Sequence, residues 1–572
     1  MKPQNYQLGA LLAAFVISAC QAGTGQDTSS NFARAWCISG GPIYTAVDNT
    51  PQVEAVAIQK GAITYAGPDT GEWCKDKAGP YSKTIDLKGA AAYPGFTDAH
   101  GHLIGIGLRE MTLNLEGTTS VEDLKTKLAA VAANTPKGET IFGRGWIETH
   151  WPEDRFPNRE DLDTVTTDHP VILERADGHA SVVNSLTLTK AKITNRTENP
   201  FGGAINRDKD GVATGMLIDN AATLVQSLLP SLTESRKKEA YIRGAELYAS
   251  RGWTNIHSMS VDPADIPMLN ELARDGKLKI RVYNSIDLLP SKSTQTFSVF
   301  GAEDKVDNSL VTTRAIKLYA DGALGSRGAA LLAPYSDDEK NSGLLLLKEE
   351  RAEAIFDAAL RNGIQINTHA IGDRANRLIL DWYDAAFERV PPGQRVIKKP
   401  RWRIEHSQII EPSDIPRFVK LGVIPSMQPS HAIGDLHFAP DRLGKDRLSG
   451  AYAWRALIDS GSIIAGGTDA PVEVGDPRIE FYAATQRKDL KGFSNEDWNP
   501  AQKVTPQEAL KMFTIWPAYA AFQDKQTGSI SVGKKADLTI FGTDLMTASG
   551  PDIQTAKPIL TMVDGRLVFD GR

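Results

Sequence analysis

The sequence lacks the features that mark several large classes of protein. The net charge is only −6 over 572 residues and there is no long basic run, so nothing indicates binding to nucleic acid. No apolar run after residue 20 is long enough to span a membrane. Tandem repeats are also absent, and a chain of this length is expected to form two or three domains.

The first twenty residues indicate a targeting segment rather than part of the fold. Lys2 precedes the apolar run LGALLAAFVISAC, which is too short to span a bilayer but is typical of a signal-peptide core. ISAC resembles a lipobox, which would make Cys20 the lipidated first residue of the mature chain and residues 21–31 a polar tether. We expect a bacterial envelope protein on the periplasmic side of the outer membrane, because Gln21 follows the cysteine; ordinary secretion is the alternative.

Cysteine is scarce, with three residues in the whole chain. Once Cys20 is assigned to the lipid, Cys37 and Cys74 remain, and in an oxidising envelope they can form a disulfide. Sequence cannot show whether their Cα atoms come within bonding reach, so two buried thiols stay open as the alternative.

The two ends of the chain share a pattern of short alternating strands separated by glycines. We interpret residues 32–93 and 525–572 as two halves of one composite β-sandwich domain. Residues 94–524 instead alternate helices with short apolar strands, eight in all, which predicts a parallel (β/α)₈ barrel in an α/β fold. An insertion at about 112–230, between strands one and two, is expected to cap the mouth of the barrel.

Histidine is scarce too, yet two of only ten stand one residue apart in PGFTDAHGHL. Active sites in such barrels lie at the carboxyl ends of the strands. Six residues capable of binding a metal, directly or after modification, end predicted strands: His100 and His102 on strand one, Lys317 on strand four, His369 on strand five, His406 on strand six and Asp469 on strand eight. A single strand-end histidine is commonly a core residue, but convergence of six such residues from five strands predicts a site.

Strand geometry explains why His100 and His102 can bind one ion, because side chains at i and i+2 point the same way. Imidazole and carboxylate ligands suit zinc and its neighbours, so Asp469 completes this set. His369 and His406 can hold a second ion. An unmodified Lys317 would repel both ions, whereas a lysine carboxylated by CO₂ could bridge them.

These motifs resemble amidohydrolase superfamily sequences, in particular family 3 and its YtcJ-like branch. The matching stretches are PGFTDAHGHL, IKLYADGALGSRGA, INTHAIGD, RIEHSQ, SMQPSHAIGD, GTDAPVE and TGSISVGKKADLTIF. The resemblance implies one or two divalent metal ions, usually zinc, a carboxylated Lys317, and the same barrel with a split β-domain. It also implies attack by a metal-activated hydroxide, with Asp469 as both ligand and proton carrier.

Other residues are candidates for contact with the substrate or for support of the ligands. We expect His179 to donate a hydrogen bond to the tetrahedral oxyanion, and a solvated loop histidine is the alternative. His431, which follows strand seven, is expected to contact the substrate or a ligand. His257, at the end of strand two, is expected to support a ligand from behind. Arg327 and Trp146 are weaker candidates for the wall of the substrate pocket.

The predicted function is hydrolysis of non-peptide C–N bonds in amides, formamides or cyclic amides, with a small amide as substrate. A dipeptidase or prolidase-like peptidase on the same fold remains open, as does a non-catalytic lipid-anchored binding protein. A deaminase is disfavoured because that chemistry commonly uses one metal and has no need of a bridge at Lys317. We expect no nucleic acid partner and membrane contact only through the lipid; a homodimer is left open.

Overall fold

The computed structural model of the 572-residue chain describes residues 35–148, 151–175, 180–200, 203–288, 310–494 and 498–572. Several sequence predictions lie outside these residues: the signal peptide, lipidation at Cys20, the tether at 21–31, and the role of His179. Within the described residues, no helix is both long and apolar enough to cross a membrane.

The chain begins with short strands that form part of one mixed sheet. These strands are β1 (Trp36–Tyr44), β2 (Gln52–Gln59), β3 (Ala62–Gly67), β4 (Lys83–Asp86) and β5 (Ala91–Pro94), with helix α1 (Trp73–Ala78) before β4. β1 pairs antiparallel with β2 and parallel with β4 and β5. Cys37 on β1 and Cys74 on α1 form a disulfide, with their Cα atoms 5.6 Å apart.

The stretch AAYPGFTDAH, where the predicted β-domain meets the predicted barrel, forms two strands. β5 belongs to the mixed sheet, and after Gly95 the barrel begins with β6 (Phe96–Gly101), followed by α2 (Leu103–Glu110). A Cβ on Gly95 would lie 2.3 Å from Thr254 Oγ1. Only glycine fits at this close approach, which is where the chain passes from one sheet to the other.

Within its described residues, the insertion between the first two barrel strands forms a six-stranded sheet with three α-helices and a 3-10 helix (Asn220–Leu228). Its elements are β7 (Leu113–Asn114), α3 (Val121–Ala132), β8 (Ile141–Trp146), α4 (Arg159–Asp163), β9 (Val171–Arg175), β10 (Ala180–Val183), α5 (Ser185–Lys190), β11 (Gly203–Arg207) and β12 (Ala213–Asp219). Leucine, valine and tryptophan side chains of these elements bury one another in clusters of their own. That the insertion caps the cavity stays a prediction.

Seven further parallel strands follow and complete the predicted eight-stranded barrel. They are β13 (Trp253–Val261), β14 (Arg281–Asp287), β15 (Val311–Tyr319), β16 (Gln365–Ala370), β17 (Arg403–His406), β18 (Ile424–Met427) and β19 (Ala465–Gly466). The sheet runs from β6 through β13 to β19 in sequence order, each strand parallel to the next. This arrangement confirms the barrel prediction.

Backbone hydrogen bonds bring the last barrel strand to the first. The N–H groups of Thr468 and Asp469 both donate to the carbonyl of His100, at 3.2 and 2.6 Å. A Cβ on Gly467 would lie 2.4 Å from His100 N, so the glycine allows the two strand ends to approach this closely. The barrel is therefore nearly closed, and closure places Asp469 beside His100.

Helices follow the strands. They are α6 (Glu234–Arg251), α7 (Ile266–Arg274), α8 (Glu349–Asn362), α9 (Asp373–Arg389), α10 (Ile415–Leu421), α11 (Pro429–Asp435), α12 (Ala439–Leu443), α13 (Trp454–Asp459), α14 (Pro477–Gln486), α15 (Pro506–Met512) and α16 (Ile515–Ala520). Two of them, α11 and α12, contribute residues to the cavity described below. The longest, α6, begins at Thr233, whose hydroxyl accepts from Arg236 N–H, and ends at Gly252 with φ +104°. Its buried face packs in the same core as the barrel strands.

The C-terminal residues return to the sheet with which the chain began. β20 (Leu538–Phe541) pairs antiparallel with β5, and α17 (Gly550–Thr555), β21 (Pro558–Val563) and β22 (Arg566–Asp570) follow. The Trp36 indole N–H donates to the carbonyl of Gly565 at 2.8 Å, across more than five hundred residues of chain. The two ends therefore meet in one sheet, while the predicted sandwich form of that domain stays a prediction.

Candidate metal centre

The six residues predicted to form the metal site line one cavity at the carboxyl ends of the barrel strands. The cavity has a volume of about 600 Å³, and its lining includes His100, His102, Lys317, His369, His406 and Asp469. A larger cavity of about 710 Å³ precedes β18 and β19, at their opposite ends, and none of the histidines lines it. The chemistry the sequence predicts therefore belongs to the first cavity.

His100 and His102 approach Asp469 from the first strand. His102 Nε2 lies 2.9 Å and His100 Nε2 lies 3.5 Å from the same oxygen, Asp469 Oδ1. Asp469 follows the last strand in a left-handed conformation, with φ +63°. Burial opposes ionisation of Asp469, but His100, His102 and His406 outweigh it and hold the pKa of Asp469 well below its usual range. The carboxylate is therefore charged, as a ligand must be.

Lys317 extends from β15 into the centre of the group. Its Nζ lies 3.3 Å from His100 Nε2, and the residue is buried. Burial lowers the pKa of Lys317 to about 8, although Glu405 and Asp469 pull in the other direction. The amine therefore lies among the other candidate ligands, and its role as a bridge stays a prediction.

His369 and His406 meet face to edge, with ring centroids 4.5 Å apart, and the ring of His406 also lies 4.8 Å from that of His100. His406 Nδ1 donates to Gln428 Oε1 at 2.8 Å, which leaves its Nε2 free to accept. Burial lowers the pKa of His369 to about 3 and holds the pKa of His406 well below its usual range. Both imidazoles are thus neutral at pH 7, the form that binds metals.

These donors fit a divalent metal. His369 Nε2 forms no hydrogen bond and lies 3.5 Å from the buried Asp321 Oδ1, so the fit rests on the other ligands. Nitrogen atoms of His100 and His406 and an oxygen of Asp469 all lie within 4.8 Å of one another. The most compact trio thus draws on both predicted sets, His100 with Asp469 and His369 with His406, so the geometry does not divide the ligands into two separate sites.

A buried charged chain behind His100 was not predicted. Glu405 Oε2 lies 2.5 Å from His100 Nδ1, and Arg403 Nε lies 2.7 Å from Glu405 Oε1, with both side chains fully buried. Arg403 and the other groups around Glu405 hold the pKa of Glu405 well below its usual range, although burial opposes this. Because an ionised carboxylate only accepts, Nδ1 of His100 carries the proton and Nε2 faces the cavity.

His257 lies behind His100 but does not contact it, because Arg403 and Glu405 lie between the two histidines. Its Nδ1 accepts from Arg403 Nη1 at 2.9 Å, and Arg403 also donates to the carbonyl of Ala99 and to Ser426 Oγ. The chain His257, Arg403, Glu405 and His100 thus crosses the barrel interior. Sequence did offer a signal: arginine and glutamate alternate in RIEH, and strand period two places both on the inward face.

Among the predicted substrate contacts, only His431 lies in the cavity within the described residues. Its Nε2 is buried without a hydrogen-bond partner and lies 3.7 Å from both Asp469 Oδ2 and Glu473 Oε1. Trp146 is instead fully buried in the core of the insertion, where its indole N–H donates to Leu173 O. The prediction for Trp146 is wrong. The insertion has a hydrophobic core of its own, and the large apolar ring of Trp146 is buried there instead of facing the cavity.

The prediction that Arg327 forms part of the wall of the substrate pocket is also wrong. It has φ +58° and its guanidinium binds Asp337, with Nη2 to Oδ2 at 2.9 Å, outside the cavity lining. The arginine that lines the cavity is Arg442, which contacts the same Asp337. Further lining residues that sequence did not single out are Tyr319, Leu324, Ile371, Gln408, Asp435, Phe438, Val472 and Glu473.

The profile of the amidohydrolase family matches residues 83–569 of the chain. YtcJ of Bacillus subtilis (strain 168) is 31% identical over 538 residues, which cover 93% of this chain and 98% of YtcJ. An N-substituted formamide deformylase of Arthrobacter pascens is 26% identical over 533 residues, covering 90% of this chain and 95% of the deformylase.

A solved structure shares the architecture at similar identity. An uncharacterized metal-dependent hydrolase from Pyrococcus horikoshii OT3 superposes with a TM-score of 0.72 at 26% sequence identity. The match covers 90% of this chain and 99% of that protein. The likeness therefore extends over nearly the whole of both chains.

Proposed function

Because this chain belongs to the amidohydrolase family and is a hydrolase of carbon–nitrogen bonds, we propose that it hydrolyses non-peptide amides, formamides or cyclic amides in a metal-dependent reaction. The observation that carries the proposal is the meeting of five histidine and aspartate ligands and Lys317 in one cavity. The deformylase of Arthrobacter pascens, named for N-substituted formamides, supports formamides as the first substrates to test.

The residues that would hold one or two ions, most simply zinc, are His100, His102, His369, His406 and Asp469. When bound, such ions supply a nucleophilic hydroxide at neutral pH and polarise the substrate carbonyl. The buried Glu405 keeps the proton of His100 on Nδ1 and so keeps Nε2 turned toward the cavity.

Two side chains are placed to act on the substrate. We propose that Asp469 accepts the proton of the attacking water and transfers it to the leaving nitrogen, because its Oδ2 faces His431 on the cavity side. His431 Nε2, which lacks a partner, would donate a hydrogen bond to the carbonyl oxygen as negative charge develops there. The role proposed for His179 is the same, in a segment outside the described residues.

We further propose that Lys317 is carboxylated. The neutral amine would attack CO₂, forming an N–C bond and losing one proton, and the product would be an anionic carbamate. Support comes from the position of Nζ, 3.3 Å from His100 Nε2 among the other ligands. An anion there would offset the positive charge of two ions, which an ammonium group would increase.

We also propose that the enzyme is held in the bacterial envelope by a lipid on Cys20. The basis is the sequence of residues 1–20, with its basic start, short apolar core and ISAC. The remaining residues up to about 31 are small and polar, which suits a flexible tether.

The test compares metal-stripped protein with protein reloaded with zinc or manganese. The substrates are N-butylformamide, N-butylacetamide, dihydrouracil and an alanyl-proline dipeptide, with release of the amine or acid followed by chromatography. We expect turnover of at least one non-peptide amide, lost on stripping and restored on reloading. Turnover of the dipeptide alone would favour the peptidase alternative.

A matched pair of variants ties the activity to the cavity. His369→Asn should abolish turnover, because it removes a buried ligand. His437→Asn is the control, since His437 is exposed, pairs with Asp489 and does not line the cavity. Equal activity of both variants would contradict the proposed site.

A further inference from the structure

One wall of the cavity carries a carboxylate that no metal ligand contacts within hydrogen-bonding distance. Glu473 lies four residues after Asp469, lines the cavity, and has a side chain that is 28% exposed. The basic atom that lies near its carboxylate is His431 Nε2, which is 3.7 Å from Glu473 Oε1. In the described part of the chain, no lysine or arginine forms an ion pair with it.

The backbone of Glu473 is held firmly in place. Arg109, a buried residue of α2, donates from Nη1 to the carbonyl of Glu473 and from Nη2 to the carbonyl of Val474, both at 2.9 Å. The guanidinium therefore fixes the position of this segment by binding its carbonyls and leaves the Glu473 carboxylate to the cavity. A fixed group of this kind can discriminate between ligands, because little freedom is lost on binding.

A second carboxylate of the lining adds to the negative charge. Asp435 accepts hydrogen bonds from Gln408 Nε2 and from the Tyr452 hydroxyl, which are neutral donors and do not cancel its charge. Burial, together with the charges of Asp435 and Asp469, raises the pKa of Glu473 to about 7, although His431 opposes this. A cationic group in the cavity would favour the ionised form of Glu473.

The positive side chains of the lining are already engaged. Lys317 contacts His100 and loses its positive charge on the carboxylation proposed above, and Arg442 contacts Asp337 and donates from Nε to the carbonyl of Gly325 at 3.3 Å. The remaining wall is apolar and includes Leu324, Ile371, Phe438 and Val472. A substrate therefore meets an apolar surface and, beside Asp469, two carboxyl groups whose ionised forms an approaching cation would favour.

We propose that Glu473 determines specificity: it selects amides whose substituent ends in a cationic group, such as an ammonium, and rejects those that end in a carboxylate. The inference rests on the proposed function, because it assumes that the substrate occupies this cavity. It does not by itself exclude the dipeptidase alternative, because a dipeptide brings a free ammonium as well as a free carboxylate to the cavity.

The experiment measures binding independently of turnover. The probes are N-hexylmethanesulfonamide and its 6-amino and 6-carboxy analogues. All three carry a sulfonamide in place of the carboxylic amide, so that binding is measured without hydrolysis of an amide bond. Dissociation constants are measured by calorimetry with the metal-loaded full chain, Glu473→Gln and Glu473→Lys. Glu239→Gln is the matched control, because Glu239 is 52% exposed on α6 and lies outside the cavity lining.

The wild-type protein and the Glu239→Gln control should bind the amino analogue at least about tenfold more tightly than the carboxy analogue, by attraction in one case and repulsion in the other. The ratio should fall toward one in Glu473→Gln and invert in Glu473→Lys, while the neutral probe binds all variants alike. An unchanged ratio in Glu473→Gln would overturn the inference, as would preference of the wild type for the carboxy analogue. Failure to hydrolyse any amide, with these ratios intact, would instead count against the proposed function alone.

Discussion

The buried chain behind His100 gives the sharpest test of how the fold prepares the metal site. Glu405→Gln keeps the shape of the side chain but removes its charge, so His100 Nδ1 loses its anionic acceptor and Arg403 loses its anionic partner. Changes to groups that orient a metal ligand typically lower affinity about 10- to 100-fold. Breaking a buried ion pair by removing one partner costs about 3–5 kcal/mol of stability.

The assay therefore has two readouts: metal affinity by competition with a chelator, and unfolding of the metal-free protein by denaturant. Asp537→Asn is the matched control, because Asp537 is also buried and pairs with Arg281, with Oδ2 2.6 Å from Nε, away from the cavity. Both variants should lose stability, but only Glu405→Gln should lose metal affinity. Unchanged affinity in Glu405→Gln would refute the reasoning that Glu405 orients His100.

Three further predictions follow from the same geometry. Lys317→Ala should lose metal from at least one position and most of its turnover, with partial rescue by short carboxylic acids; turnover near that of the wild type would rule out the bridge. His431→Gln should lower kcat about 100-fold, the typical effect of losing one oxyanion donor, with metal content unchanged by atomic absorption; an unchanged kcat would remove His431 from the reaction. Cys20→Ser should move the protein from the membrane fraction to the soluble fraction at equal activity per molecule, and an unmodified mature N-terminus downstream of Cys20 in the native host would contradict lipidation.

Much of the barrel and its ligand ring could be predicted because both depend on local patterns. Alternating helices and apolar strands indicate parallel units, and parallel units bring the strand ends of Lys317, His369 and His406 together. Likewise, the i, i+2 spacing of His100 and His102 is enough to aim both toward Asp469.

The residues that the sequence predictions placed wrongly or missed share one physical property. Whether a charged or aromatic side chain faces a cavity depends on partners that are distant in sequence. Arg327 binds Asp337, Trp146 lies in the core of the insertion, and Arg403 and Glu405 compensate each other inside the barrel. Glu473 follows a strand end in a loop, where no periodicity reveals which way it points.

The division of the ligands between two ions is a further point that sequence could not decide. Spacing along the strands suggested His100, His102 and Asp469 for one ion and the remaining histidines for another. In the structure, ligand atoms of His100, His406 and Asp469 lie within 4.8 Å of one another, because the side chain of His406 on the sixth strand meets that of His100 with ring centroids 4.8 Å apart. The order of residues along the chain does not reveal how closely His100 and His406 approach each other.

Anomalous diffraction from zinc-loaded crystals, measured on both sides of the zinc absorption edge, tests the central claim most directly. One or two peaks should appear in the cavity, with ligand atoms of His100, His406 and Asp469 among those at about 2.0–2.2 Å, the usual distance for nitrogen and oxygen ligands of zinc. Crystals of protein that is active with zinc, yet shows no anomalous peak among these residues, would contradict the account.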